Sequence, residues 1–179
     1  MPPALGAQAL SKAVVDSGPL FSALTLVHVD FGRVPEPKRT DLLRRALEVY
    51  LRDLHLQKLF LQLFTSIRTL LTTSHVVGEL QGLCNSRLKL RNEYDRKAFW
   101  LHSMLFLKQW NFDERLMAIL ELYKDSSSRE GVCHIGPTDM GLIELARSQG
   151  CVLLTEDRAL CTTARGANVD CRLIAELLH

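Results

Sequence analysis

The run Cys151-Val152-Leu153-Leu154-Thr155 has no polar residue at alternate positions, and Gly150 and Glu156-Asp157 close it at its two ends. A strand with one face in water alternates apolar and polar residues. An unbroken apolar run this short belongs in a sheet covered on both faces. Ala13-Val14-Val15, ending in Asp16, reads likewise as a short buried strand, and Arg68-Thr69-Leu70-Leu71-Thr72-Thr73 as a second short strand running into a polar turn. Val132 to Ile135 and Asn168 to Cys171 are further strand candidates. Helical patterns lie between these runs. Alternating strands and helices predict an α/β chain: a three-layer α/β/α sandwich around a central, mostly parallel sheet.

The 179 residues, 47% of them hydrophobic, suit one domain with a real core. We expect a loose lead-in over 1–12 and a single domain over 13–179. Ser17-Gly18-Pro19 reads as a break after the first strand, and Leu20 to Val29 as a short helix followed by loop. Thr40 is placed to cap a helix starting at Asp41, with Leu42, Leu43, Ala46, Val49, Tyr50 and Leu54 on one side. Its apolar pattern runs on to Phe64, a helical expansion over about 40–65. A second expansion covers about 96–123, with Trp100, Leu101, Met104, Leu105, Leu107 and Leu120 expected in the core. Thr73 or Ser74 caps a helix carrying Glu79. Gly136-Pro137-Thr138-Asp139 opens another, which Gly150 ends.

Twenty-two Lys and Arg against 20 Asp and Glu give a net charge of +2, which excludes nucleic-acid binding by bulk charge alone. The five cysteines form no CxxC pair, so no zinc knuckle is indicated. No window of 18 apolar residues is free of charge, and no basic residue precedes an N-terminal hydrophobic run. The expectation is a soluble, cytoplasmic protein with no membrane association.

Asp16 follows the first strand, Asp139 opens a helix, and Asp157 follows the Cys151 to Thr155 strand. Glu79 stands on the early turns of the helix after Thr73. In a parallel sheet these positions share one edge, where open α/β folds bind ligands. Carboxylates gathered there repel one another, and a hard cation such as Mg²⁺ or Mn²⁺ relieves that repulsion. Three of these acids also have a local use. Asp139 suits the first turn of a helix, Asp157 can cap the helix from Arg158, and Asp16 can hold an Asx turn. On spacing and charge alone both accounts stand.

The sequence also resembles a known family. Val14-Val15-Asp16-Ser17-Gly18-Pro19-Leu20-Phe21 resembles the opening of PIN domains. Thr73-Ser74-His75-Val76-Val77-Gly78-Glu79-Leu80 is similar to the family's second element and Gly136 to Ala146 to its third. Leu153-Leu154-Thr155-Glu156-Asp157-Arg158 is similar to its fourth and is the most specific of the set. The 18-residue step from Asp139 to Asp157 also resembles the family's spacing. The resemblance implies a Mg²⁺- or Mn²⁺-dependent endoribonuclease. Asp16 and Asp139 would be the principal metal ligands, with Glu79 and Asp157 completing the acidic catalytic site. Ser17 and Thr155 would orient a carboxylate, a metal water or a phosphate oxygen, and apart from the resemblance Arg158, near the acids in sequence, is a candidate phosphate contact. The implied partners are single-stranded or structured RNA, a protein inhibitor of antitoxin type, and a second copy in a homodimer. The alternative is a non-catalytic PIN-like module that binds RNA or protein.

Two departures from the family stand out. Pro35 to Phe64 lengthens the stretch between Asp16 and Glu79 relative to a compact toxin-type member, and Arg96 to Tyr123 is rich in bulky apolar groups. Arg87, Lys89, Arg91, Arg96 and Lys97 form the densest positive run, either a phosphate track or a solvated face. A phosphatase is disfavoured because Gly18, not a second Asp, stands two positions after Asp16. Neither GxGxxG nor GxxxxGK[ST] occurs.

Overall fold

The computed structural model describes residues 10–32, 34–90, 92–109, 113–115 and 136–178. Strand β1 (Lys12–Val15) is followed by α1 (Ser17–Phe31), α2 (Glu36–Ala46), a 3₁₀ turn (Val49–Arg52) and α3 (Leu54–Ser66). Strand β2 (Thr69–Thr73) leads into α4 (Ser74–Leu83), a π turn (Cys84–Leu88) and α5 (Glu93–Gln109). Then come β3 (Asp113–Arg115), α6 (Pro137–Gln149), β4 (Val152–Thr155), α7 (Arg158–Gly166), β5 (Cys171–Leu173) and α8 (Ile174–Leu177).

The five strands lie in the order β3-β2-β1-β4-β5, and every pairing is parallel. Val14 is registered against Leu71 on one side and Leu153 on the other, so β1 is the central strand. Val14, Val15, Leu153 and Leu154 have no exposed surface, as the unbroken apolar runs require. Helix α1 packs with α2, α3, α4 and α5, while α6 lies against β1, β2 and β4. The result is the expected α/β/α sandwich. Chain order runs outward from β1 to β3 and then returns to β4 on the far side of β1. The switch point between β1 and β4 is where such sheets open a crevice.

Several elements differ from the sequence expectation. Ser17-Gly18-Pro19 opens α1 rather than breaking the chain, because a proline in the first turn sacrifices only an amide that no helical carbonyl would accept. The helix runs on to Phe31 and is apolar nearly all round. Leu20, Phe21, Leu26 and Val29 are buried on its different sides, as suits a helix enclosed by others. Helix α2 starts at Glu36, with Pro37 in its first turn, and Thr40 lies inside it.

The expected continuous helix to Phe64 is divided. Leu47 turns extended, and Asp53 caps α3 through Oδ1, which accepts from His55 N at 2.8 Å and Leu56 N at 3.0 Å. Helix α5 ends at Gln109 and β3 occupies 113–115, inside the stretch expected to be helical. Leu101, Met104 and Leu105, expected in the core, are 59%, 64% and 55% exposed on α5. The last strand lies at 171–173 rather than 168–171, because Asn168 takes a left-handed conformation at φ 58°. The strand expected over Val132 to Ile135 lies outside the described residues, as does the remainder of the second expansion beyond Arg115. Among the described residues no helix is long and apolar enough to cross a membrane.

Candidate acidic site at the sheet switch point

Asp16 leaves β1 and caps α1. Its Oδ1 accepts from Ser17 N at 2.5 Å and from Ser17 Oγ at 3.3 Å. Its Oδ2 accepts from Thr155 Oγ1 at 2.7 Å. That hydroxyl in turn accepts from Asp157 N at 2.9 Å, which fixes the direction of its own proton toward Asp16. The two acid-bearing turns on either side of the switch point are thereby tied together through one buried threonine. Burial pushes the Asp16 carboxyl above its ordinary range, against the pull of Thr155 and Ser17, and the charge of Glu79 adds to the rise.

Asp157 caps α7, its Oδ1 accepting from Ala159 N at 2.6 Å and Leu160 N at 3.2 Å. Asp139 lies half-buried in the first turn of α6. Burial raises it to about 6, and the charges of Asp16, Asp157 and Glu79 add to the rise while a Gly136 backbone hydrogen bond opposes it. Glu79 is exposed on α4. The charges of Asp16, Glu79 and Asp157 thus all act on Asp139, and that of Glu79 also on Asp16, at the carboxyl edge of β1, β2 and β4. The local uses are also present, since Asp16 and Asp157 each cap a helix. Arg158 is exposed at the start of α7, close enough to Glu176 to act on its charge.

The acids supply the hard oxygen donors that Mg²⁺ or Mn²⁺ prefers. Among the described residues no three His, Cys, Asp or Glu side chains stand close enough to hold one ion between them. Mg²⁺ is commonly held by one or two carboxylates plus waters and substrate phosphates, so the donor set suits an ion with few protein ligands.

A cavity of about 970 Å³ adjoins this edge. Asp16 and Asp157 line it, together with Tyr50, Arg87, Glu156 and Arg158, whereas Asp139 and Glu79 do not. Glu156 was not anticipated from sequence. Its Oε1 accepts from the Tyr50 hydroxyl at 3.0 Å. A Cβ on Gly18 would lie 3.0 Å from its Oε2, so any larger residue there would press on the carboxylate and make it give way by a few tenths of an ångström. Burial raises Glu156 to about 7. The Tyr50 bond and Arg87 oppose the rise, and Glu48 and Asp16 add to it. Tyr50, expected on the apolar face of a long helix, instead lies on the 3₁₀ turn. Its only advance signal was the cap residue Asp53 that divides the helix.

The profile of the PIN domain matches residues 46–166. That span includes Glu79, Asp139 and Asp157 and begins after Asp16. No curated protein matches the chain. Among solved structures, PAE2754 from Pyrobaculum aerophilum superposes with a TM-score of 0.50 at 18% identity, over 97% of this chain and 96% of that one. A domain of a functionally unknown protein from Methanocaldococcus jannaschii DSM 2661 gives a TM-score of 0.43 at 14% identity, over 91% and 90% of the two chains. At these identities the likeness to PAE2754 speaks to fold.

Proposed function

This chain belongs to the PIN-domain family, and on that premise we propose that it is a metal-dependent endoribonuclease whose acidic site lies at the β1/β4 switch point. The observation that supports this most is the setting of Asp139, half-buried at this edge and raised to about 6 first by burial and then by repulsion from Asp16, Asp157 and Glu79. A fold gains nothing from such repulsion, whereas a cation-binding site requires it.

Asp16 and Asp139 would hold the ion, with Glu79 and Asp157 adding charge nearby. Bound Mg²⁺ or Mn²⁺ would polarise a phosphoryl oxygen and acidify a water. The residues themselves do the positioning. The Thr155 hydroxyl orients Asp16 Oδ2, and Ser17 fixes Oδ1. Arg158, on the cavity wall beside Asp157, offers a cation to a phosphate of the bound strand.

A second reading is a PIN-like module that binds RNA or protein without cutting. It is favoured by the absence, among the described residues, of three donors grouped for one ion, and by the commitment of Asp157 Oδ1 to the cap of α7. Cleavage of labelled single-stranded RNA with Mg²⁺, Mn²⁺ or EDTA separates the two. Metal-dependent cutting that Asp16→Asn abolishes supports the nuclease. Folded protein that binds RNA in every condition and cuts in none leaves the binding module.

A further inference from the structure

We propose that the cavity beside the acidic edge is a nucleotide subsite in which the Tyr50–Glu156 pair selects guanine in the bound RNA strand. This rests on the assignment of the edge to RNA and adds a base preference to it. The helical insertion between β1 and β2 brings Tyr50 to the site, and its hydroxyl donates to Glu156 Oε1 at 3.0 Å. Both residues line the cavity with Asp16 and Asp157, so a base held there belongs to a nucleotide close to the acids. The cavity volume, about 970 Å³, lies within the range of small-molecule sites and is ample for a nucleotide. Arg87 and Arg158 on its wall supply cations for phosphates.

The selection follows from the donor inventory. An ionised carboxylate only accepts hydrogen bonds, so its partner must present donors. The Watson–Crick edge of guanine presents N1–H and the N2 amino group side by side. Cytosine and adenine each set a ring acceptor next to their amino group, and uracil flanks its one N–H with two carbonyls. Glu156 therefore meets adjacent donors only from guanine. The Tyr50 bond occupies one lone pair of Oε1 and restrains the side chain that the base must find.

The test is equilibrium binding in EDTA at pH 8.5, where the Glu156 carboxyl is ionised and cleavage plays no part. The probes are fluorescent oligouridylates carrying one central guanosine, inosine, adenosine or uridine. Inosine lacks the N2 amino group, and losing one hydrogen bond to a charged group should weaken binding roughly tenfold or more relative to guanosine. Glu156→Gln, which sets an amide donor against the base donors, should erase the guanosine preference while uridine binding stays within about twofold. Arg158→Ala should instead weaken all four probes alike.

Equal affinity for all four probes in the unaltered protein overturns the proposal, as does a guanosine preference that survives Glu156→Gln. The comparison of guanosine with inosine needs no variant, so misfolding of Glu156→Gln cannot rescue the proposal. Cleavage with Mn²⁺, run in parallel, keeps the two readings apart. Cutting without base preference sinks the subsite and leaves the nuclease. Guanosine-selective binding without cutting does the reverse, no binding of any probe overturns the subsite, and no binding together with no cutting overturns both.

Discussion

Replacing Asp139 with Asn should stabilise the metal-free protein at neutral pH and leave it nearly unchanged at pH 4. Asp139 moves from an ordinary 3.8 to about 6 in the fold, through burial and the charges of Asp16, Asp157 and Glu79. The folded state then holds its proton more tightly than the unfolded chain. Below about pH 3.8 both states are protonated and nothing is lost; between 3.8 and 6 stability falls as pH rises; above 6 the full penalty applies. A shift of this size corresponds to a ceiling of about 3 kcal/mol. Asp139 is half-buried, and solvent screening reduces the figure to about 1–2 kcal/mol.

Asparagine keeps the size and an acceptor oxygen and carries no charge. For a domain of this length the gain should appear as a melting temperature roughly 3–6 °C higher at pH 8 in EDTA. Thermal melts followed by circular dichroism at pH 4 and pH 8 measure it. Mn²⁺ should narrow the gap by stabilising the unaltered protein more than the variant. A variant no more stable than the parent at pH 8, or equally more stable at both pH values, would refute the combined penalty of burial and repulsion on which the acidic site is argued.

Thr155→Val removes the hydroxyl that orients Asp16 and receives the Asp157 amide. Loss of a hydrogen bond to a charged group should lower cleavage by roughly 10- to 100-fold with the fold retained, read as kcat alongside a melting curve. Leu153→Asp places a charge at a fully buried position in β4 and should abolish folding, seen as loss of the cooperative transition. His28, facing His102 across the α1–α5 contact at 3.1 Å, is held down at about 4 by burial and by the His102 charge, with Asp95 opposing. The folded state stays neutral there while the unfolded chain protonates near 6.5, so stability should fall as pH drops from about 6.5 toward 4. His28→Phe should flatten that decline in urea midpoints taken at pH 5 and pH 7.

What the sequence makes legible follows from how local each cause is. Strands β1 and β4 announce themselves because burial on both faces writes a short apolar run into each, and β2 through its Leu70-Leu71 centre. The first expansion was misread because its apolar spacing continues across Leu47 to Asp53. The division is made by one cap, Asp53, and frees Tyr50 from a core stripe to meet Glu156. Helix α5 illustrates the converse error, for Leu101, Met104 and Leu105 have core chemistry at helical spacing and still face outward.

The placement of the acids follows from local signals, since Asp16 and Asp157 follow strand ends, Asp139 opens a helix and Glu79 stands within the helix after β2, positions that parallel topology gathers at one edge. The bonds that organise them do not. Thr155 meets Asp16 across 139 residues and Tyr50 meets Glu156 across 106, and neither pairing leaves a period, cap or spacing in the chain. The chemistry of the site is thus written locally, while its orientation and the cavity beside it arise only when β1 and β4 lie side by side. Variants of Thr155 and Tyr50 therefore test the assembled site, whereas variants of the acids test only its charge.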